Sequence, residues 1–114
     1  MKTVYSALRD GKIIKWNVES QQAIRTFDQG HSEWISQIIM DKTEKKLYSA
    51  GGDCQVVEWN TETCSIVQRF QSDFMKKVYC LALSHCGKFI YAGDINGLVF
   101  AWNIQENRLI KTFE

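Results

Sequence analysis

The sequence predicts an all-β fold built of consecutive four-stranded antiparallel meanders, and three observations carry that prediction. Trp16, Trp59 and Trp102 recur at a step of 43 residues, and the same step links Asn17, Asn60 and Asn103, Tyr5, Tyr48 and Tyr91, and Phe27, Phe70 and Phe113 without a gap. Within each step, short apolar runs alternate with turn residues at the spacing of hairpin-connected strands. Asp10-Gly11 and Asn96-Gly97 stand immediately before two of those runs, where two-residue hairpin turns favour residues that tolerate φ > 0. A fixed period of this size is the signature of a repeat architecture.

Other columns of the repeat are chemically similar: Val4, Leu47 and Ile90; Ile13, Val56 and Val99; Ile24, Val67 and Ile110; Asp10, Asp53 and Asn96. The 114 residues read as one domain of three units, a partial one at 1–29 followed by 30–72 and 73–114. The first unit supplies the second, third and fourth strands of its meander. In the second unit, strands are expected at 34–40, 46–50, 55–59 and 65–70; in the third, at 77–83, 88–92, 98–102 and 108–113. Lys12–Trp16, Gln55–Trp59 and Leu98–Trp102 are thus one strand repeated three times, and Asp53-Cys54 makes a poorer turn than its two glycine-containing counterparts.

Composition narrows the function classes. With 45% hydrophobic and 24% charged residues, and 14 Lys+Arg against 13 Asp+Glu, the chain is neither disordered nor strongly basic. No charge footprint for a nucleic acid backbone or an anionic membrane is visible. The longest apolar runs, such as Val78–Leu83, fall far short of a membrane helix. Arg9, Asp10 and Gly11 interrupt the N-terminal apolar stretch, so no secretory signal is expected. Cys54, Cys64, Cys80 and Cys86 form no C-x-x-C pair, which suits a reducing compartment and an intracellular location, cytoplasmic or nuclear. Cys64 and Cys86 with His85 are too sparse for structural zinc, and no metal or cofactor is expected. Cys80 reads as a small core hydrophobe, and the other three cysteines as surface or turn residues.

The second unit carries a more specific pattern: Gly30-His31, 27 intervening residues, then Trp59-Asn60. In the third, Ser84-His85-Cys86-Gly87-Lys88 separates the first two strands. On these motifs the chain resembles the WD-repeat β-propeller family over its whole length, with Asn replacing the family's Asp after Trp in all three units. The resemblance implies that His31, Ser49, Asp53 and Trp59 form a buried hydrogen-bonded tetrad that ties a blade together. His31, Ser49 and Asp53 also mimic a hydrolase triad, but no G-x-S-x-G elbow surrounds Ser49, and the structural reading is preferred. The first unit keeps Ser6, Asp10 and Trp16; in the third only Trp102 survives, with Ala92 in the Ser column, Asn96 in the Asp column and Asp73-Phe74 in place of Gly-His.

Propellers close with four to eight blades, whereas 114 residues at a period of 43 hold about 2.7. The expectation is an incomplete propeller, either a fragment of a longer one or a set of blades completed by another subunit or by self-association. Ile14, Ile24, Phe100 and Ile110 are then expected on exposed outer faces of the first and third blades.

No catalytic constellation is present, and the chain is read as no enzyme; a propeller enzyme, the remaining alternative, would carry its chemistry on loops that are here only a few residues long. The resemblance implies a scaffold for protein–protein interaction and complex assembly. Its binding face, carried over column by column, comprises Arg9, Trp34, Ser36, Gly52, Lys77, Tyr79 and Ile95, with Trp34, Tyr79 and Arg9 as anchors. A second alternative is a structural subunit of a large ribonucleoprotein, because Leu47–Asp53 and Val57–Asn60 are similar to segments in WD-repeat proteins of the pre-ribosome. Near-neutral charge argues against direct RNA contact even then.

Overall fold

Eleven β-strands make up the computed structural model, which describes residues 2–114; Met1, the first residue of the 1–29 unit, lies outside the described residues. The strands are β1 (Thr3–Ala7), β2 (Ile13–Asn17), β3 (Gln22–Phe27), β4 (Ile35–Met40), β5 (Lys46–Gly51), β6 (Val56–Asn60), β7 (Ser65–Phe70), β8 (Val78–Leu83), β9 (Phe89–Asp94), β10 (Val99–Asn103) and β11 (Arg108–Phe113). They form three antiparallel meanders, β1-β2-β3, β4-β5-β6-β7 and β8-β9-β10-β11, in chain order within each sheet. The architecture is all-β, with three consecutive propeller blades standing side by side.

Two cores lie between the blades, one on each face of the middle sheet. Side chains alternate across a strand, so Leu47, Val57 and Trp59 turn toward blade one and pack with Ile13 and Phe27. Tyr48, Ala50, Val56 and Phe70 turn toward blade three and pack with Val78, Leu81, Ile90, Ala92, Phe100 and Trp102. The repeated Trp meets the repeated Phe of the preceding blade at each seam. Trp59 and Phe27 are edge-to-face with centroids 5.5 Å apart, and Trp102 and Phe70 are tilted at 5.8 Å. Offset and edge-on aromatic contacts of this kind add to what burial alone contributes.

This geometry corrects one expectation. Ile14 is half-buried, but Phe100, in the same repeat column, is 1% exposed. The free sides of blades one and three are opposite faces of the repeat, so a single column cannot be exposed on both. In blade three that column faces blade two.

β-Bulges account for the exposure expected at Ile24 and Ile110 and for one further departure. In each blade the pairing of the last two strands slips beside Trp, leaving Ile24, Val67 or Ile110 without an opposing residue. All three are exposed, Val67 in the central blade included, so their exposure arises from the bulge and not from a missing neighbour blade. The first strand of blades two and three also bulges, at Ser36 and at Tyr79. The extra residue reverses the inside–outside alternation, and Cys80, expected in the core, is exposed.

The turns between each blade's second and third strands are three-residue loops with a single left-handed residue, at Gly11 (φ 90°), Cys54 (66°) and Gly97 (83°). A two-residue turn would need φ > 0 at its first central position (type II′) or at both (type I′), and in these turns only Gly11, Cys54 and Gly97 have it, so the expected turn type gives way to a type I turn closed by a bulge residue. Cys54 pays a steric cost that its glycine counterparts avoid.

Candidate functional site

His31 is held in the loop leading into β4, Ser49 near the end of β5, Asp53 in the β5–β6 turn and Trp59 on β6. Their side chains connect in one line. The His31 Nδ1 faces both Asp53 carboxylate oxygens at 3.0 and 2.9 Å, its Nε2 lies 2.6 Å from Ser49 Oγ, and Trp59 Nε1–H donates to the same Oγ at 2.8 Å. The Asp53 carboxylate can only accept, so Nδ1 carries the ring proton toward it; Nε2 of that tautomer accepts from the Ser49 hydroxyl, whose oxygen in turn accepts from Trp59 Nε1–H. The His31 and Asp53 side chains are 0% and 4% exposed. A serine hydroxyl walled in by indole and imidazole offers no path to a substrate carbonyl. The arrangement binds loop, strand and turn together by satisfying buried polar groups, and Gly30 leaves the space in which the Trp59 ring lies.

The other blades keep parts of this network. Trp16 Nε1–H donates to Ser6 Oγ at 2.8 Å in blade one. In blade three Ala92 replaces the serine, and Trp102 Nε1 is buried with no hydrogen-bond partner among the described residues. Ala92→Ser is therefore expected to raise stability by about 0.5–1.5 kcal/mol, the net worth of one hydrogen bond, measured by urea unfolding; a loss of stability would show that the Trp102 N–H does not point at this column. Asp94, which the column comparison missed, holds the blade-three loops instead. Its buried carboxylate accepts from the backbone N–H groups of Lys76, Asn96 and Leu98 at 3.0–3.1 Å. The available signal was an acid two positions ahead of the repeat's usual one.

Asn after Trp performs a local task. Asn17 Oδ1 accepts from Glu19 and Ser20 N–H, Asn60 Oδ1 from Glu62 and Thr63 N–H, and Asn103 Oδ1 from Glu106 N–H. A side-chain carbonyl suffices for these turn bonds, so the aspartate charge can be dispensed with.

Of the seven residues carried over for binding, Ser36 and Tyr79 lie at the starts of β4 and β8, and Arg9, Trp34, Gly52, Lys77 and Ile95 lie in loops and turns. Trp34 and Tyr79, from adjacent blades, stack with centroids 6.0 Å apart and planes 23° from parallel. Tyr79 is 54% exposed because the bulge turns it outward. Gly52 is buried beneath the Trp34 indole, where a Cβ would approach Nε1 to 2.6 Å, so it contributes a seat and no surface. Ser36 commits its hydroxyl to the seam, 2.6 Å from Val78 O and 3.1 Å from Ala50 O. Lys77 and Ile95 are exposed, and their segments are tied by Ile95 N–H donating to Lys77 O at 2.8 Å. Arg9 is exposed on the β1–β2 turn, which Gly11 brings against the His31 and Glu33 carbonyls.

These blades, with their tetrad and stacked loops, define a repeat protein of the β-propeller class. The chain belongs to the WD40 family (WD domain, G-beta repeat), whose model matches residues 21–60 and 65–103. Among solved structures it is similar to the one titled "Structure of U3-55K" (TM-score 0.88, 25% identity, covering 97% of this chain and 35% of that one). It is equally similar to "Crystal structure of RRP9 WD40 repeats" (TM-score 0.87, 25% identity, 97% and 34%). The chain thus spans about a third of the length of these two structures. No curated protein matches it by sequence.

Proposed function

We propose that the chain is a non-catalytic scaffold whose Trp34–Tyr79 face binds a protein or peptide partner in complex assembly. WD40 domains typically mediate protein interactions, and the observation that supports a site here is the stack of two aromatic rings from different blades, one of them more than half exposed. Aromatic residues and arginine dominate interface energetics, and Arg9, Lys77 and Ile95 surround the stack. The tetrad below it is closed, which supports a binding role over a hydrolytic one. Free thiols at all four cysteines support an intracellular location, cytoplasmic or nuclear.

Trp34→Ala is expected to weaken partner binding about fivefold, roughly 1 kcal/mol, in titration calorimetry against a partner captured by the unmodified chain, while the urea midpoint stays nearly unchanged. A large loss of stability with unchanged affinity would assign Trp34 to blade packing alone. The ribonucleoprotein reading, resting on Leu47–Asp53 and Val57–Asn60, is separated by RNA retention on the purified chain. A net charge of +1 supports none at physiological salt.

A further inference from the structure

Asn96-Gly97 lies in the β9–β10 turn of blade three, and its asparagine differs from the other four in the chain. Asn17 and Asn60 each accept two turn bonds through the side-chain carbonyl, Asn103 accepts one, and Asn107 donates its amide to Arg69 O at 2.9 Å. Each of the four is also followed by a residue with a bulky side chain, Val18, Thr61, Ile104 or Arg108. Asn96 is exposed. Its backbone N–H is held by Asp94 at 3.0 Å, but its side-chain amide has no hydrogen-bond partner among the described residues.

The repeat explains that freedom. In blade two the equivalent Asp53 is held by His31, Ser32 N–H and Gln55 Nε2. Blade three has no histidine in that column, and Asp94 takes the loop bonds instead, so the Asn96 side chain has no structural task. The residue after it completes the arrangement. Gly97 is exposed at φ 83°, and a Cβ there would meet nothing within 4 Å, whereas Gly11, its counterpart in blade one, lies against the His31 and Glu33 carbonyls. Nothing therefore stands between the Gly97 backbone nitrogen and the Asn96 side chain except the turn itself. The Gly97 N–H donates to Asp94 O at 3.1 Å, and this is the bond that must open. Exposed turns open at far lower free-energy cost than core strands do.

We propose that Asn96 is a site of self-modification through a cyclic imide. The Gly97 nitrogen gives its proton to a hydroxide ion and attacks the Asn96 side-chain Cγ; a C–N bond forms, and the amide nitrogen takes a proton from water and leaves as ammonia. Water then opens the ring. Attack at Cγ breaks the new bond to the Gly97 nitrogen and yields an ordinary aspartate. Attack at the Asn96 main-chain carbonyl breaks the original peptide bond and yields isoaspartate, in which the chain runs through the side chain. Either product replaces a neutral amide with a carboxylate, ionised at neutral pH, and cancels the net charge of +1. The aspartate restores the acid found in this column at Asp10 and Asp53. The isoaspartate adds a main-chain carbon inside the Asp94–Gly97 turn and so reshapes the turn that carries Ile95.

The test incubates the folded full chain in mildly alkaline buffer made with heavy-oxygen water, then digests it with trypsin in ordinary water. The peptide Phe89–Arg108 holds Asn96, Asn103 and Asn107 together and so contains its own controls. Mass spectrometry is expected to find heavy oxygen at Asn96 in about tenfold excess over Asn103 and Asn107. The label should lie in two products of equal mass, one of which accepts a methyl group from an isoaspartyl methyltransferase. The rate should rise in proportion to hydroxide concentration. Isoelectric focusing of the intact chain should show a new band, more acidic by one charge, that migrates with Asn96→Asp. Asn96→Gln, whose longer side chain must close a larger ring, should give no such band. If Asn96 takes up label in the urea-unfolded chain but not in the folded one, the closed turn shields it and the proposal is overturned. Equal labelling of Asn96, Asn103 and Asn107 would overturn it as well. None of these readouts depends on the stacked face having a partner.

Discussion

Phe70→Ala is expected to lower stability by about 3–5 kcal/mol, the range for deleting a fully buried phenyl group. Phe70 is 0% exposed, wedged between Trp102 and the β4–β7 sheet in the core shared by blades two and three. Repeat proteins hold together through nearest-neighbour interfaces, so the loss falls on the coupling between blades as much as on one blade. Phe113 is the internal control: it occupies the same repeat column but is 43% exposed, and Phe113→Ala is expected to cost less than about 1 kcal/mol. Urea unfolding of both variants checks the pair. Equal losses would mean that the seam at Phe70 contributes no more than a free edge does.

His31→Ala should cost about 1–3 kcal/mol, because it leaves buried partners unpaired. Asp53 would retain Ser32 N–H and Gln55 Nε2 at 3.1 and 3.3 Å, but the Ser49 hydroxyl would lose its acceptor. A double-mutant cycle with Ser49→Ala separates the direct bond from the surrounding cost, with a coupling of about 0.5–3 kcal/mol expected for residues in one network. Additive single losses would show that His31 and Ser49 stabilise the blade independently, against the 2.6 Å contact between them.

The repeat made most of the strand layout legible. A four-column identity at a constant step locates the eight β-strands of blades two and three to within a residue or two, because each column sees the same environment in successive blades. Even the missing hydroxyl beside Trp102 could be read from Ala92. What escaped is what a column comparison treats as constant. Phe100 and Ile14 share a column but face different neighbours, so burial depends on blade position as well as residue type. The bulges at Ser36 and Tyr79 add a residue without changing the period, and Val78–Leu83 is apolar throughout, so nothing in its pattern marks where the alternation reverses. At the stacked face, Trp34 and Tyr79 were legible singly, but their contact across a seam was not.

The irregular pairing beside each repeated Trp has a consequence for the behaviour of the chain in a crowded solution. β3, β7 and β11 are the outermost strands of their sheets on one side, and such a strand offers unpaired N–H and C=O groups to any extended chain that drifts alongside. Here each of these strands carries its extra residue in mid-course, at Ile24, Val67 or Ile110, so the outer rim is kinked just where a straight template would be needed. An incoming strand could match its register on one side of the kink and not on both. The same irregularity that puts an aliphatic side chain into water therefore guards the rim against cross-β stacking.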